Sequence, residues 1–289
     1  EVAWPVGLSR KKIVVPAGGC RYAPGLPDSS VRFSCIGEHV LASIRRDHAG
    51  ISDEEYLREM GDPDNPLVML ETNSRSGETF LVSPAGRCIV KTVGDGEAVT
   101  LMEMLFRYRA HFDECPNSIL GKYFGLFRVR FAETRRYVTV MHSVFDVPAQ
   151  IVAMYDLKGS THGRKVRSAS EAVRKDTDWI DDGRRLQVGK SDAEALAGIH
   201  EMCCRFLTSE SVMDYSVLVG VARGHCDKAR WCAEDRSETY VLGMVDFLVR
   251  YGLGKKAEHF IHQIAGRGST ASVTDPQTYA GRQRKFVGQ

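Results

Sequence analysis

Apolar residues recur at helical spacing after Asp95, where Ala98, Leu101, Met102, Leu105 and Phe112 fall on one face. Asp95 is the predicted N-cap of that helix. A second stripe, Leu196, Ile199, Cys203 and Phe206, predicts a helix over 192–208. It opens on Ser191-Asp-Ala-Glu194, a capping-box pattern in which Ser and Glu satisfy each other's orphan N–H groups. Ser52-Asp-Glu-Glu55 repeats the pattern at the head of a shorter helix over 53–60, and another helix is predicted over 36–48. Strand-like runs lie at 67–72, 79–83, 87–93, 124–131, 136–142 and 151–157, and Pro84-Ala-Gly86 supplies a turn between the second and third. Two apolar, β-branched runs follow at 215–221 and 239–247, and the tail from Thr274 is helical again. Residues 160–190 are polar, a loop region with short helical pieces. Residues 1–30 are rich in Gly, Pro and Ser without periodicity, which predicts a loosely ordered arm. No internal repeat is visible.

A strand-rich half followed by a helix-plus-strand half predicts an α+β architecture with a cleft between two lobes. At 289 residues the chain is long enough for this, and 43% hydrophobic with 26% charged residues is ordinary for a globular protein. A net charge of +2 excludes a general polyanion binder, and the basic runs carry no interleaved aromatics, which argues against a nucleic-acid reader. Charge is nevertheless uneven: residues 247–289 hold seven Lys/Arg against two acids. That surplus suits either a solvated surface or contact with a phosphate-bearing ligand or membrane. The eight cysteines form no CxxC pair and several sit in apolar elements, as expected of buried free thiols in a reducing compartment. His225, Cys226 and Cys232 lack a second ligand pair at metal-site spacing. No apolar run approaches the length of a membrane span, and no leader pattern is visible at the start.

Four places carry candidate chemistry. A small-residue turn, Ser74-Arg75-Ser76-Gly77, precedes a strand from which Lys91 emerges; such a turn either cradles phosphates or simply joins a hairpin. Glu97 lies in the first turn of the next helix, where it could hold Lys91 or favour the helix dipole. In "MYDLKGSTHGRKV", 154–166, Asp156 and Lys158 share one side of a strand and Arg164 and Lys165 follow a Gly-Ser-Thr turn. Cations and exposed backbone N–H groups so close together suit a phosphate, though a structural turn has the same composition. Finally, Asp214 precedes one apolar run and Asp246 lies within the other, and a carboxylate there needs a partner. Taken with Lys91, the two acids form a phosphoryl-transfer set in the expected chain order: one orients a hydroxyl, the other holds Mg²⁺.

At these residues the chain resembles the phosphatidylinositol phosphate kinase family. The resemblance rests on "IVKT" (89–92), "YDLKGST" (155–161), "MDYSVLVG" (213–220), "MVDFLVRY" (244–251) and "KKAEH" (255–259). Weaker similarity runs from about Val31 to Phe286. It implies a two-lobed kinase-like fold with antiparallel sheets and a flat, basic, membrane-facing surface. The arm 1–30 would be followed by an N-lobe over 31–144 and a C-lobe over 145–289. The implied activity is transfer of the ATP γ-phosphate to an inositol-ring hydroxyl of a phosphoinositide, with ATP and Mg²⁺ as cofactors. The enzyme would be cytoplasmic and peripheral to the cytosolic face of anionic membranes, with a homodimer among its partners. By motif, Asp214 would be the catalytic-loop aspartate, Asp246 the metal-binding one, and Lys91 an ATP-phosphate contact with Glu97 as its partner. Lys158 and Arg164 would hold phosphates, Arg164 on the lipid headgroup. Ser74, Arg75, Ser76 and Gly77 would cover the nucleotide, and His142 and Val144, in "MHSV", would border adenine together with Leu218.

The segment after "MVD" is the family's activation loop and carries substrate preference. Lys255 and Lys256 would contact the membrane or headgroup. Glu258 implies the class that takes phosphatidylinositol 4-phosphate to the 4,5-bisphosphate, whereas Ala257 is the residue usual in the class acting on the 5-phosphate isomer. A soluble inositol-phosphate kinase and an inactive phosphoinositide-binding scaffold are the alternatives. The basic "KKAEH" segment speaks against the first, and retention of Lys91, Asp214 and Asp246 against the second.

Overall fold

A computed structural model describes residues 10–15, 31–62, 64–70, 79–131, 133–168, 171–226, 229, 231–252 and 275–287. By its internal contacts the chain divides into two units, Glu1–Glu114 with Lys122–Ser143, and Cys115–Gly121 with Val144–Gln289. The architecture is α+β, as the alternation of periodicities predicts.

In the first unit seven strands form one antiparallel sheet: β1 (Arg10–Val15), β2 (Val31–Ile36), β3 (Val68–Leu70), β4 (Phe80–Val82), β5 (Cys88–Val93), β6 (Tyr123–Phe131) and β7 (Thr134–His142). Their order is β1-β2-β6-β7-β5-β4-β3. Strand β1 lies inside the span read as a loosely ordered arm. Its β-branched end, Ile13-Val14-Val15, suits a pleated backbone, and it pairs with β2 from Arg10↔Ile36 to Val15↔Val31. The helices are α1 (Glu38–Ser43), which runs into a π-helical turn (Ile44–His48), α2 (Asp53–Gly61) and α3 (Asp95–Glu114). The capping box of α2 is present in both directions: Glu55 N–H donates to Ser52 Oγ at 3.1 Å and Ser52 N–H to Glu55 Oε2 at 2.8 Å. Ala98, Leu101, Met102, Leu105 and Phe112 of α3 are all buried, as their spacing predicts. Tyr108, on the same buried side, accepts the Tyr123 N–H on its hydroxyl at 2.9 Å and so ties α3 to the start of β6. Asp95 is the first residue of this helix and not its cap.

The second unit holds β8 (Ile151–Leu157), β9 (Val173–Lys175), α4 (Asp176–Asp181), α5 (Lys190–Ser209), β10 (Val212–Met213), β11 (Ser216–Arg223), β12 (Trp231–Cys232), β13 (Glu238–Val245), β14 (Val249–Arg250) and α6 (Pro276–Val287). A five-stranded sheet runs β12-β13-β11-β8-β9, parallel only between β8 and β9, and β10 pairs with β14 beside it. The polar stretch 160–190 thus contributes a sheet-edge strand and a short helix. Helix α5 starts at Lys190 with Gly189 as N-cap and no side-chain cap, so the predicted Ser191 box does not form. The helical hydrogen bonds already begin at the Gly189 carbonyl, which accepts from Ala193 at 2.9 Å. Leu196, Ile199 and Cys203 are buried. Tyr279 of α6 meets Tyr215 edge-on at 4.8 Å and donates to its carbonyl at 2.5 Å.

Cys35, Cys88, Cys115, Cys203 and Cys204 are buried free thiols, and Cys226 and Cys232 are half-buried and free. Burial pushes the Cys203 thiol up to about 12 and the Cys204 thiol up to about 11, which keeps both protonated and inert. Cys20 lies outside the described residues. His225 Nδ1 sits 3.2 Å from Cys232 Sγ, yet no group of three or more metal-ligating side chains occurs among the described residues.

Candidate active site

Strand register in the second unit decides where three predicted charged residues fall. Val217 on β11 lies opposite Leu157 on β8 and Met244 on β13. Lys158 follows Leu157, Asp214 stands two residues before Ser216, and Asp246 directly follows Val245, which pairs with Ser216. All three therefore leave the same end of three adjacent strands. Both acids adopt left-handed backbone, Asp214 at φ 65° and Asp246 at φ 59°. Asp is among the few residues with a side chain that tolerates this region, and the sharp turn carries each carboxylate off the strand direction.

Lys158 Nζ donates to Asp214 Oδ1 at 2.7 Å and to the Asp214 carbonyl at 2.8 Å. Asp214 Oδ2 has no hydrogen-bond donor among the described residues, and the side chain is about one-third exposed. Asp246 is exposed at the end of β13. The buried Ser216 hydroxyl at this end has no hydrogen-bond partner among the described residues.

The Gly-Ser-Thr turn after Lys158, whose composition suits either a phosphate or a structural turn, is held from inside by a carboxylate of the chain. The N–H groups of Lys158, Gly159 and Ser160 are already occupied. Asp176, fully buried at the head of α4, accepts from Lys158 N at 2.9 Å, Gly159 N at 2.7 Å and Ser160 N at 3.2 Å on a single oxygen, Oδ1. Its Oδ2 accepts from Arg164 Nε at 2.8 Å. Arg164 also donates through Nη2 to Asp156 Oδ1 at 2.7 Å and to the Asp156 carbonyl at 2.5 Å. Burial works against the guanidinium charge, but the two carboxylates outweigh it and raise its pKa. Arg164 is thus tied into the turn by two aspartates. Asp178 Oδ2 fastens the same region by accepting from Val166 N and Lys175 N, both at 3.0 Å.

Among the nucleotide-contact candidates, Val144 and Leu218 come together within the second unit. Leu218 pairs with Gly243, and a Cβ at Gly243 would lie 2.5 Å from Val144 Cγ2, so the absent side chain is what lets Val144 lie on the sheet. Asp156, opposite Leu218 on β8, shares that face. In the first unit Lys91 is 7% exposed on β5, with Nζ 5.5 Å from the centre of the Phe80 ring. Glu97 Oε2 accepts the Gly94 N–H at 2.8 Å, capping the start of α3. His142 stacks on Phe124 at 5.3 Å, and Ser143 N–H donates to the Arg87 carbonyl at 2.8 Å just before the chain enters the second unit. Ser74, Arg75, Ser76 and Gly77, and likewise Lys255, Lys256 and Glu258, lie outside the described residues.

A magnesium ion keeps several waters and takes one or two carboxylates plus substrate phosphates. The exposed Asp246 carboxylate is a group that could hold such an ion, whereas Ser216, paired with the preceding Val245, is fully buried. Asp176 and Ser216 were both missed by sequence reasoning. Asp176 stands in "RKDTDWI" among other acids, and Ser216 reads as the first residue of an apolar strand.

Comparison with known proteins gives a consistent picture. The profile of the Phosphatidylinositol-4-phosphate 5-Kinase family matches residues 62–237 and 226–289. A human protein named phosphatidylinositol 4-phosphate 5-kinase-like protein 1 is 28% identical over 290 residues, covering 86% of this chain and 72% of the relative. The Gallus gallus phosphatidylinositol 4-phosphate 5-kinase type-1 beta is 26% identical, covering 96% of this chain, which in turn spans 61% of that relative's length. The Rattus norvegicus phosphatidylinositol 5-phosphate 4-kinase type-2 alpha is 24% identical, with 84% and 74% covered. No helix among the described residues is long and apolar enough to cross a membrane.

Proposed function

The chain belongs to the phosphatidylinositol-4-phosphate 5-kinase family, and from that premise we propose that it is a lipid kinase. Its reaction moves the γ-phosphate of ATP to the 5-hydroxyl of phosphatidylinositol 4-phosphate. The observation that carries the reading is the emergence of Lys158, Asp214 and Asp246 from one end of β8, β11 and β13.

Asp214 orients the lipid hydroxyl. Its Oδ1 is held by Lys158, which leaves Oδ2 to accept the proton as the hydroxyl oxygen bonds to the γ-phosphorus and the bond to ADP breaks. The Lys158 ammonium, already beside this carboxylate, offsets negative charge on the transferring phosphoryl group. Lys91 holds ATP phosphates, and Val144 and Leu218 form part of the adenine bed. Asp246 would hold Mg²⁺ through its exposed carboxylate. When bound, the ion neutralises phosphate charge.

Substrate choice rests on Glu258 in the segment after Asp246, where Lys255 and Lys256 meet the headgroup and the anionic cytosolic membrane surface. Two features favour the 5-phosphate isomer as a second reading: Ala257, and the similarity to a protein named as a 5-phosphate 4-kinase.

The test is incubation with ATP, Mg²⁺ and vesicles carrying each monophosphorylated phosphoinositide in turn, with identification of the product isomer. The 4,5-bisphosphate formed from the 4-phosphate alone is expected. The same product formed from the 5-phosphate alone would overturn the regiochemistry, and turnover of none would overturn the kinase assignment.

A further inference from the structure

Asp176 is a carboxylate with no solvent exposure, and sequence reasoning did not single it out. A buried carboxylate is stable only when its lone pairs are filled, and here four donors fill them, three from consecutive backbone N–H groups and one from Arg164. The three N–H groups can converge on one oxygen because Gly159 takes φ 68°, which curls the turn into a concave nest. A nest of this kind ordinarily receives an external anion. In this protein it is filled by the protein's own carboxylate.

The consequence falls on Lys158. Its side chain has several rotatable bonds, so where its ammonium sits depends on where its backbone is held. Asp176 holds that backbone by the Lys158 N–H itself and by the next two N–H groups. From the fixed turn, Nζ reaches Asp214 at 2.7 Å. Arg164 closes the arrangement from the other side, linking Asp176 to Asp156 on β8. A continuous chain of contacts thus runs from the head of α4 to the acid assigned as the proton acceptor.

We propose that Asp176 is a positioning residue for phosphoryl transfer, acting through the backbone of Lys158–Ser160 to fix the Lys158 ammonium against Asp214. The inference deepens the kinase reading and rests on it. It also changes the chemistry of the turn, whose Lys158, Gly159 and Ser160 N–H groups serve an internal anchor while the lysine tip is presented to phosphate.

The test is a double-mutant cycle on the full chain, with ATP, Mg²⁺ and vesicles containing phosphatidylinositol 4-phosphate. Asp176→Asn can keep acceptors for the backbone but presents an NH₂ group to Arg164 Nε and removes the charge. Because a misplacement of about 1 Å can cost roughly 100-fold in rate, kcat is expected to fall about 30- to 100-fold with the KM for ATP within about two-fold. Added to Lys158→Ala, the same substitution is expected to cost less than about three-fold further, since the group it positions is gone. Thermal melts show which variants are folded; if Asp176→Asn is not, Asp176→Glu, which keeps the charge but shifts the carboxylate, is read through the same cycle. A parental kcat, or a loss that multiplies in full with that of Lys158→Ala, would show a purely structural role and overturn the inference while the kinase reading stands. An inactive parent enzyme, or Lys158→Ala with unimpaired turnover, would remove the kinase reading or its Lys158 role, and the inference with it.

Discussion

At the scale of single residues, Asp214 and Asp246 each follow or precede a strand in left-handed backbone, and each carries a carboxylate. Asn tolerates the same backbone region, so Asp214→Asn and Asp246→Asn remove charge without adding strain. Both variants are expected to melt within a few degrees of the parent while turnover falls roughly 100-fold or more, the usual scale for loss of an acid–base or charge-stabilising group. Turnover at the parental rate in either variant would remove that residue from the mechanism. These two acids were legible in sequence because a carboxylate beside or inside an apolar run has to be explained. Asp176 was not. Among Asp176, Asp178, Asp181 and Asp182, nothing local tells which is fully buried, because only the folded turn decides where three N–H groups converge.

At the scale of elements, the connection from β8 through Gly159 to α4 is held on both sides. A Cβ on Gly159 would lie 3.1 Å from the backbone carbonyl oxygen of Arg282 in α6, and at φ 68° an L side chain is strained in any case. Helix α6 has little room to retreat, since Gln283 donates from Nε2 to the Leu157 carbonyl at 3.1 Å, one residue before the turn. Gly159→Ala is therefore expected to destabilise the protein by about 1–2 kcal/mol for the left-handed backbone alone. It should also lower turnover by displacing Lys158, as checked by thermal melts and kcat; a variant matching the parent in both would show that α6 does not brace the turn. Helices were the most legible elements. The two-way capping box of α2 and the buried stripe of α3 follow directly from residues three and four apart. The start of α5 differed because Ser191-Asp-Ala-Glu194 has the right composition two residues too late: the helix is already under way from Gly189. Strand β1 escaped notice because Gly and Pro around it mask a short β-branched run.

For the whole molecule, among the described residues each of the two units buries one neutral histidine. His111 on α3 and His200 on α5 are both pulled down to about 4 from 6.5, chiefly by burial, with Lys122 adding to the effect at His111 and Arg284 at His200. The folded state resists taking up a proton that the unfolded chain accepts near 6.5. Stability contributed by these groups is thus complete above about pH 6.5 and is lost as pH falls toward 4. At pH 5 the loss is about 2 kcal/mol for each histidine, so melting temperature should fall by several degrees between pH 7.5 and pH 5. His200→Gln should shrink that difference. An unchanged pH dependence in the variant would mean that His200 is not the group that titrates.

The types of the long, periodic elements and the chain order Lys91, Lys158, Asp214, Asp246 were determined by the sequence alone, because periodicity, caps and turn residues act within about ten positions of one another. Which elements meet was decided by the tertiary structure. Leu157 and Val217 are distant along the chain, and their register depends on which faces of β8, β11 and β13 are buried and which backbone groups can pair. That register brings Lys158, Asp214 and Asp246 to one end of a sheet. The same packing closed on Asp176 a loop whose composition suited either a phosphate or a structural turn, since a buried N–H group must find an acceptor and the nearest was the protein's own.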